Sequence, residues 1–146
     1  MIQILEEPYG NTYKSLLKLA LNVCDEFILV KRDQIPLFEN GNDILKTLNP
    51  FLKEVKKQES WPGTCLMGHF ADVYYFECRE DLVDVFTEHT ESLYSWMQPH
   101  ILEDLCFFKD KKPWLITVSH EKMGWIDTNN VSELEKLKEF KGLVTY

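Results

Sequence analysis

Three residues in the C-terminal half could supply acid and base chemistry: Glu103, Asp104 and His120. Two β-forming runs flank Lys109-Asp110-Lys111-Lys112-Pro113, a pattern that predicts a hairpin. Depending on whether its loop has two or three residues, His120 lies opposite Glu103 or Leu102, within reach of Asp104. A carboxylate beside the imidazole would favour its charged form near neutral pH. His120, Asp104 and Glu103 are therefore candidate catalytic residues. The alternative interpretation is a cross-strand polar contact without chemistry.

Cysteine and histidine spacing provides weaker candidates. Cys65 and His69 are four residues apart, and Cys78 and His89 could complete a zinc shell, but the spacing matches no zinc signature. As a nucleophile, Cys65 or Cys106 would need a basic partner and an orienting group, and the sequence does not show which histidine is near either. We predict no metal site and no cofactor, and we interpret the four cysteines as reduced thiols.

Acidic residues are concentrated in residues 71–110. This segment holds ten acidic and two basic residues, whereas the rest of the chain has fourteen of each, so it accounts for the whole net charge of −8. Large aromatic side chains within a field of one sign can anchor a protein interface, whereas a polyanion would be repelled. We predict a basic protein partner and no nucleic acid. The candidate interaction residues are Glu80, Asp81, Asp84, Glu88, Glu91, Tyr94 and Trp96. The alternative interpretation is a solvated acidic face that aids solubility.

The elements that must position these residues follow from apolar periodicity and turn signals. An apolar run over residues 27–30 is typical of a strand covered on both faces. In the first half, the predicted elements are a strand over residues 1–6, a helix capped by Asn11 or Thr12, the strand over 27–30, and a helix over 41–57 that kinks or restarts at Pro50.

The second half contains a turn, further strands and two more helices. The predicted elements are a turn at residues 60–63, a strand pair or bent strand over 64–78, a helix from about residue 80 that reaches at most Met97, the hairpin, and a short helix opened by a capping box at residues 132–135. We therefore predict an α+β fold: a single domain over residues 1–146 with a mixed or antiparallel sheet of about five strands packed by three or four helices.

The N-terminal residues and the hydropathy profile bear on location. The chain opens without a basic segment leading into an apolar stretch, and no window approaches the roughly 18 uncharged apolar residues of a membrane helix. These features predict a cytoplasmic protein that is not in a membrane.

Three clusters occur in an order that resembles a family of small uncharacterised bacterial proteins. They are Ser60-Trp61-Pro62-Gly63-Thr64, Leu93-Tyr94-Ser95-Trp96-Met97-Gln98-Pro99, and Glu103-Asp104-Leu105-Cys106-Phe107-Phe108 followed by Ser119-His120-Glu121. The resemblance covers residues 60–125 and implies a bacterial cytoplasmic protein, without assigning a catalytic or binding residue. Immunity proteins of bacterial toxins are also small, acidic and cytoplasmic, which is an analogy of size and charge.

Two functions follow from these patterns. We expect a non-enzymatic interaction protein that binds a basic protein, of which an immunity or inhibitor protein is one form. The alternative is a small-molecule-binding protein or hydrolase with a pocket near Trp96, Asp104, His120 and Trp125. Acidic residues scattered over separate faces would weaken the first, and a large separation of Asp104 from His120 would exclude the second.

Overall fold

A computed structural model describes residues 1–146, and it contains nine strands and four α-helices. The strands are β1 (Ile2–Ile4), β2 (Glu26–Arg32), β3 (Leu52–Gln58), β4 (Ser60–Trp61), β5 (Thr64–Cys65), β6 (Ala71–Glu77), β7 (Glu103–Lys109), β8 (Lys112–Val118) and β9 (Met123–Ile126). The helices are α1 (Gly10–Val23), α2 (Glu39–Leu48), α3 (Leu82–His89) and α4 (Val131–Glu139). None of these helices has the length and apolar character needed to cross a bilayer.

Seven of the strands form one antiparallel sheet in the order β1-β9-β8-β7-β2-β6-β3. Strands β4 and β5 form a separate two-stranded hairpin. The predicted α+β class is confirmed, whereas the prediction of about five strands is too low. The hairpin predicted around residues 109–113 is present as β7 and β8. Strands β1 and β2 open the chain as predicted but lie four positions apart in the sheet.

The helix predicted over residues 41–57 is wrong in its second half. Helix α2 ends at Leu48, a 3-10 turn at Asn49–Phe51 contains Pro50, and residues 52–58 form β3. Proline cannot donate the backbone hydrogen bond that a continuing helix requires. The chain beyond it pairs with β6, from Leu52 opposite Phe76 to Gln58 opposite Ala71. Pairing with β6 thus makes residues 52–58 a strand, although their apolar spacing alone is typical of a helix.

The sheet separates two apolar clusters. On one face, helical side chains pack with alternate strand residues, including Phe27 and Leu29 of β2. On the other face, Ile28 and Val30 belong to a smaller cluster that the β4–β5 hairpin covers with Trp61. All four of these β2 residues have no exposed surface, which confirms the prediction of a strand covered on both faces. The hairpin therefore creates a second buried region opposite the helices, and the candidate site adjoins it.

The two helices in the second half of the chain differ in detail from the sequence prediction. Helix α3 ends at His89, and only a 3-10 turn at Leu93–Ser95 follows before Pro99. Helix α4 begins after Asn130, whose side chain accepts a hydrogen bond from the Glu133 backbone N–H. The N-cap is thus two residues earlier than Ser132, the first residue of the predicted capping box, since an asparagine serves this role as well as a serine.

Candidate functional site

A bulge at the start of β7 brings two adjacent carboxylates to one side of the strand. Glu103 pairs with Val30 and Cys106 with Ile28, so β7 has one residue more than β2 over this stretch. Asp104 takes the left-handed backbone conformation with φ 52°, which aspartate adopts more readily than most residues. Consecutive side chains of a regular strand point to opposite faces, and a bulge redirects one of them. Both carboxylates consequently approach Arg32.

Glu103 is fully buried and joins three segments of the chain. Its Oε2 lies 2.7 Å from Arg32 Nε, and its Oε1 lies 2.7 Å from His120 Nε2. The backbone N–H of Gln98 also donates to Oε1 at 3.3 Å. The Gln98 side chain in turn accepts from the Arg32 backbone N–H and donates to the Arg32 and Ile35 carbonyls. Glu103 therefore holds both a cation and an imidazole in fixed positions.

Asp104 is also fully buried and attaches the β4–β5 hairpin to the sheet. The Trp61 indole N–H donates to its Oδ2 at 3.0 Å, and the Ser119 backbone N–H donates to its Oδ1 at 2.9 Å. Arg32 Nη2 lies 4.0 Å from Oδ2, and the guanidinium also stands over the Trp61 ring at 5.6 Å. Burial raises the pKa of the Asp104 carboxyl above its ordinary value, while these hydrogen bonds and Arg32 oppose the rise.

An open cleft of about 450 Å³ lies beside this cluster, between the β4–β5 hairpin and a 3-10 turn at Ser119–Glu121. Its lining includes both charged and apolar side chains: Arg32, Ile35, Thr64, Cys65, Leu66, Val118, His120 and Glu121, with Gly63 at the hairpin turn. The side chain of His120 is 41% exposed and that of Arg32 is 20% exposed. Two side chains that contact the buried carboxylate Glu103 are thus accessible from solvent.

Buried polar atoms without a hydrogen-bond partner are concentrated around this cleft. The chain has five such side-chain atoms, and four belong to Arg32, Thr64, Glu103 and Ser119. Arg32 Nε and Glu103 Oε2 attract each other as charges at 2.7 Å without forming an aligned hydrogen bond. The hydroxyls of Thr64 and Ser119 have neither kind of partner. Because buried polar atoms in folded proteins are nearly always paired, this local excess marks the region as unusual.

The three candidate catalytic residues lie together. His120 contacts Glu103, and Asp104 accepts from the residue that precedes His120, so the predicted proximity is present. The geometry differs in one respect, because the strand ends at Val118 and His120 lies in the 3-10 turn. A catalytic role for these residues stays a prediction.

The predicted composition of the pocket is wrong for the two tryptophans. Trp96 is fully buried in the helix-side core, where its indole N–H donates to Tyr13, and Trp125 does not line the cleft. The residues that complete the site are Arg32 and Trp61. Arg32 is one of only two arginines in the chain, which is the one sequence signal that could have singled it out.

The acidic surface predicted to bind a partner is less uniform than the sequence suggests. Five of its residues are exposed on α3 or beside its ends: Glu80, Asp81, Asp84, Glu88 and Glu91. Three lysines line the groove that the first three of these acids share: Lys14, Lys18 and Lys136. Other acids of the segment pair within the protein, since Asp72 lies 2.7 Å from Lys57 and Glu103 pairs with Arg32. The negative charge is therefore divided among several environments.

Tyr94 and Trp96, predicted as exposed aromatic anchors, are instead buried. Their side chains belong to the helix-side core, where Trp96 packs edge to face on Phe86 at 5.3 Å between ring centroids. Removing such large apolar side chains from water stabilises the core. An interaction surface on this side of the protein would therefore lack these two aromatic anchors.

The weaker candidates separate in the structure. The chain contains no group of three or more His, Cys, Asp or Glu side chains placed to hold a metal ion, so Cys65, His69, Cys78 and His89 do not form a zinc shell. All four cysteines are free thiols. Cys106 is buried in the cluster beneath the hairpin, whereas Cys65 is exposed and lines the cleft with His120.

Comparison with known proteins identifies no relative: no family model, no curated protein and no solved structure matches this chain. The resemblance to small bacterial proteins over residues 60–125 stays a prediction. Function must therefore be inferred from the chemistry of the site.

Proposed function

We propose that this protein binds a small polar molecule in the cleft between the β4–β5 hairpin and the 3-10 turn at Ser119–Glu121. The observation that carries the proposal is the pair of buried hydroxyls beside this cleft, those of Thr64 and Ser119, which have neither a hydrogen-bond partner nor an ion pair. A ligand with hydrogen-bonding groups would satisfy such atoms, and unpaired buried groups often mark functional sites. Small-molecule sites commonly combine an apolar lining with a few convergent polar groups.

Each charged residue has a distinct part in this proposal. Arg32 and His120 reach the solvent and would contact the ligand directly. Glu103 holds both in position, and Asp104 fixes the hairpin wall through Trp61. Because Glu103 occupies His120 Nε2, Nδ1 is the ring nitrogen left to contact a bound molecule.

Nuclear magnetic resonance tests this proposal directly. The ¹⁵N-labelled protein is titrated with defined probes: small carboxylates, primary amines, amino acids, nucleosides and monosaccharides. We expect at least one class to shift the amides of residues 63–66 and 118–121 together. The variant His120→Phe should lose that response, whereas His100→Phe, on an exposed histidine outside the cleft, should keep it. Shifts located elsewhere, or none with any probe, would contradict the proposal.

A second candidate function is the binding of a basic protein through α3. The exposure of Glu80, Asp81, Asp84, Glu88 and Glu91 favours it, and like charges on one surface accelerate association with a partner of opposite charge. Three lysines line the groove beside three of these acids and reduce the negative electrostatic potential there. The cleft between the β4–β5 hairpin and the 3-10 turn is therefore the better supported site.

The second candidate is tested by purification from the native host at low and high salt. We expect one basic protein in stoichiometric amount, which salt removes because screening weakens exposed charge pairs. The purified pair is then measured with the wild type and with a variant carrying Glu80→Gln, Asp81→Asn, Asp84→Asn and Glu88→Gln. Equal affinity for both would exclude the acidic surface as the interface.

A further inference from the structure

Helices α1 and α3 lie side by side and antiparallel over the helix-side core. The Tyr13 hydroxyl, near the start of α1, lies 2.6 Å from the Thr90 hydroxyl at the end of α3. Near the end of α1, the Asn22 side chain donates to Glu80, just before α3 begins. Because consecutive helical residues rise by about 1.5 Å, these two contacts fix the height of every residue along the pair.

The outer surfaces of the two helices carry opposite charges at matching heights. Lys14 and Lys18 are one turn apart on α1, and Asp84 and Glu88 are one turn apart on α3. Residues four apart share one face of a helix. Counted from the two contacts that join the helices, Lys14 is level with Glu88 and Lys18 is level with Asp84. A lysine row on α1 therefore runs beside an acidic row on α3.

The side chains of these two rows have no ionic partner within the chain. Lys14 is partly exposed and the other three residues are exposed, and none of the four takes part in an ion pair at 4.0 Å or less. The remaining acids of this surface, Glu80, Asp81 and Glu91, lie beyond the two ends of α3. Both rows are therefore available to a neighbouring molecule.

We propose that two copies of this protein associate through α1 and α3, about a two-fold axis that runs parallel to the helices along the groove between them. A half-turn about this axis places α3 of each copy over α1 of the other and leaves every residue at its own height. Glu88 of the second copy then faces Lys14, and Asp84 of the second copy faces Lys18. The symmetry repeats both pairs.

This association is separate from the proposed small-molecule site. The helices cover one face of the sheet, whereas the β4–β5 hairpin that forms a wall of the cleft covers the other face. A dimer formed through α1 and α3 leaves the cleft open, so either proposal can fail without the other.

A second copy fits this surface better than a partner of uniform charge. A basic protein would pair with the acidic row but would be repelled by the lysine row, and an acidic protein would meet the reverse problem. A surface with both rows at matching heights is complementary to itself after a two-fold rotation. The net charge of −8 on each copy opposes association at long range. Physiological salt screens charges separated by more than about 8 Å, while directly facing pairs remain attractive.

Charge reversal separates this pairing from a general effect of net charge. The variant Lys14→Glu with Lys18→Glu makes both rows acidic, and the variant Asp84→Lys with Glu88→Lys makes both rows basic. Sedimentation velocity measures the dissociation constant of each protein alone and of an equimolar mixture of the two variants. A reducing agent is present because Cys65 is exposed and could form a disulfide between molecules.

The matched control places the same change of charge elsewhere. Lys111→Glu with Lys112→Glu alters two exposed lysines at the β7–β8 turn. We expect the wild type and this control to dimerise with similar dissociation constants. Each reversed variant alone should dimerise at least about tenfold more weakly, because attractive pairs become repulsive. The mixture should restore the wild-type affinity, since each acidic row then faces a basic row.

Three results would overturn the proposal. They are a wild type that stays monomeric at concentrations on the order of 1 mM, folded variants that dimerise as well as the wild type, and a mixture of folded variants that stays monomeric. Circular dichroism establishes that the variants are folded. Dilution of the ¹⁵N-labelled wild type needs no variant: the amides of α1 and α3 should shift, and shifts confined to other elements would also overturn it.

Discussion

Replacing Arg32 with methionine should lower the free energy of unfolding by about 3 kcal/mol at neutral pH. Arg32 lies 2.7 Å from one fully buried carboxylate, Glu103, and 4.0 Å from a second, Asp104. Methionine fills much of the same aliphatic volume but leaves both carboxylates without their cation. Removing one partner of a buried ion pair costs about 3–5 kcal/mol. We take the lower end because the Arg32 side chain is 20% exposed and His120 still contacts Glu103.

The stability deficit of Arg32→Met should shrink as the pH falls. Burial already raises the pKa of Asp104, and the charge of Arg32 opposes that rise, so its removal raises the pKa further. A carboxyl whose pKa is higher in the folded state binds more protons folded than unfolded. Its contribution to stability therefore improves as the pH falls from the raised folded pKa towards the ordinary value of 3.8. Protonation neutralises the Asp104 carboxylate, which then no longer needs the positive charge of Arg32.

Urea and thermal unfolding between pH 4.5 and 7.5 measure both effects. A loss of about 3 kcal/mol corresponds to a decrease in Tm of roughly 6–12 °C for a domain of this size. The matched control is Lys57→Met, which removes surface ion pairs to Asp33 and Asp72 and should leave stability unchanged within error. Combining Arg32→Met with Glu103→Gln should recover part of the loss. An Arg32→Met protein as stable as Lys57→Met, or a deficit that grows at low pH, would refute this account of the cluster.

Two further predictions concern the hairpin turn and α4. Gly63→Ala should cost about 1–3 kcal/mol and increase hydrogen exchange in residues 60–66, because Gly63 has φ 85° and a Cβ there would lie 2.8 Å from Val118. Unchanged exchange would show that the turn tolerates a side chain. Glu133→Gln should cost about 1–2 kcal/mol at neutral pH because it weakens the contact with Lys109, while Glu135→Gln on the exposed face should have no effect. Burial tends to raise the pKa of Glu133, but its hydrogen bonds and Lys109 outweigh burial and lower it. The loss of stability in Glu133→Gln, measured by urea unfolding, should therefore vanish only as the pH falls below the ordinary glutamate range.

Local patterns in the sequence were sufficient for several elements of the fold. The apolar run at residues 27–30 predicts a buried strand, and the polar loop at 109–113 predicts the β7–β8 hairpin. Residues 52–58 could not be assigned in this way, because their apolar spacing continues the helical phase of α2 while their strand conformation depends on pairing with β6. The number of strands was underestimated for this reason and because β9 is only four residues long.

The candidate site could be predicted only where its members are close in sequence or joined by the hairpin. His120 and Glu103 face each other across a hairpin whose loop is visible in the sequence. Arg32 and Trp61 enter from distant segments, so their contacts depend on strand order and on the packing of the β4–β5 hairpin. The acidic segment shows the opposite problem, since proximity in sequence did not place its charges on one surface.

Stability alone does not explain why this region is polar. Replacing a buried ion pair with apolar residues of similar volume is often neutral or stabilising, so a cluster of Arg32, Glu103 and Asp104 is not required to join the hairpin to the sheet. A cluster that served only to join them would also be expected to have its hydrogen bonds complete, as Asp104 does. Instead, the hydroxyls of Thr64 and Ser119 remain unpaired around a cleft that Arg32 and His120 also reach. An incomplete polar network beside an accessible cleft is the arrangement expected of a site that a ligand completes.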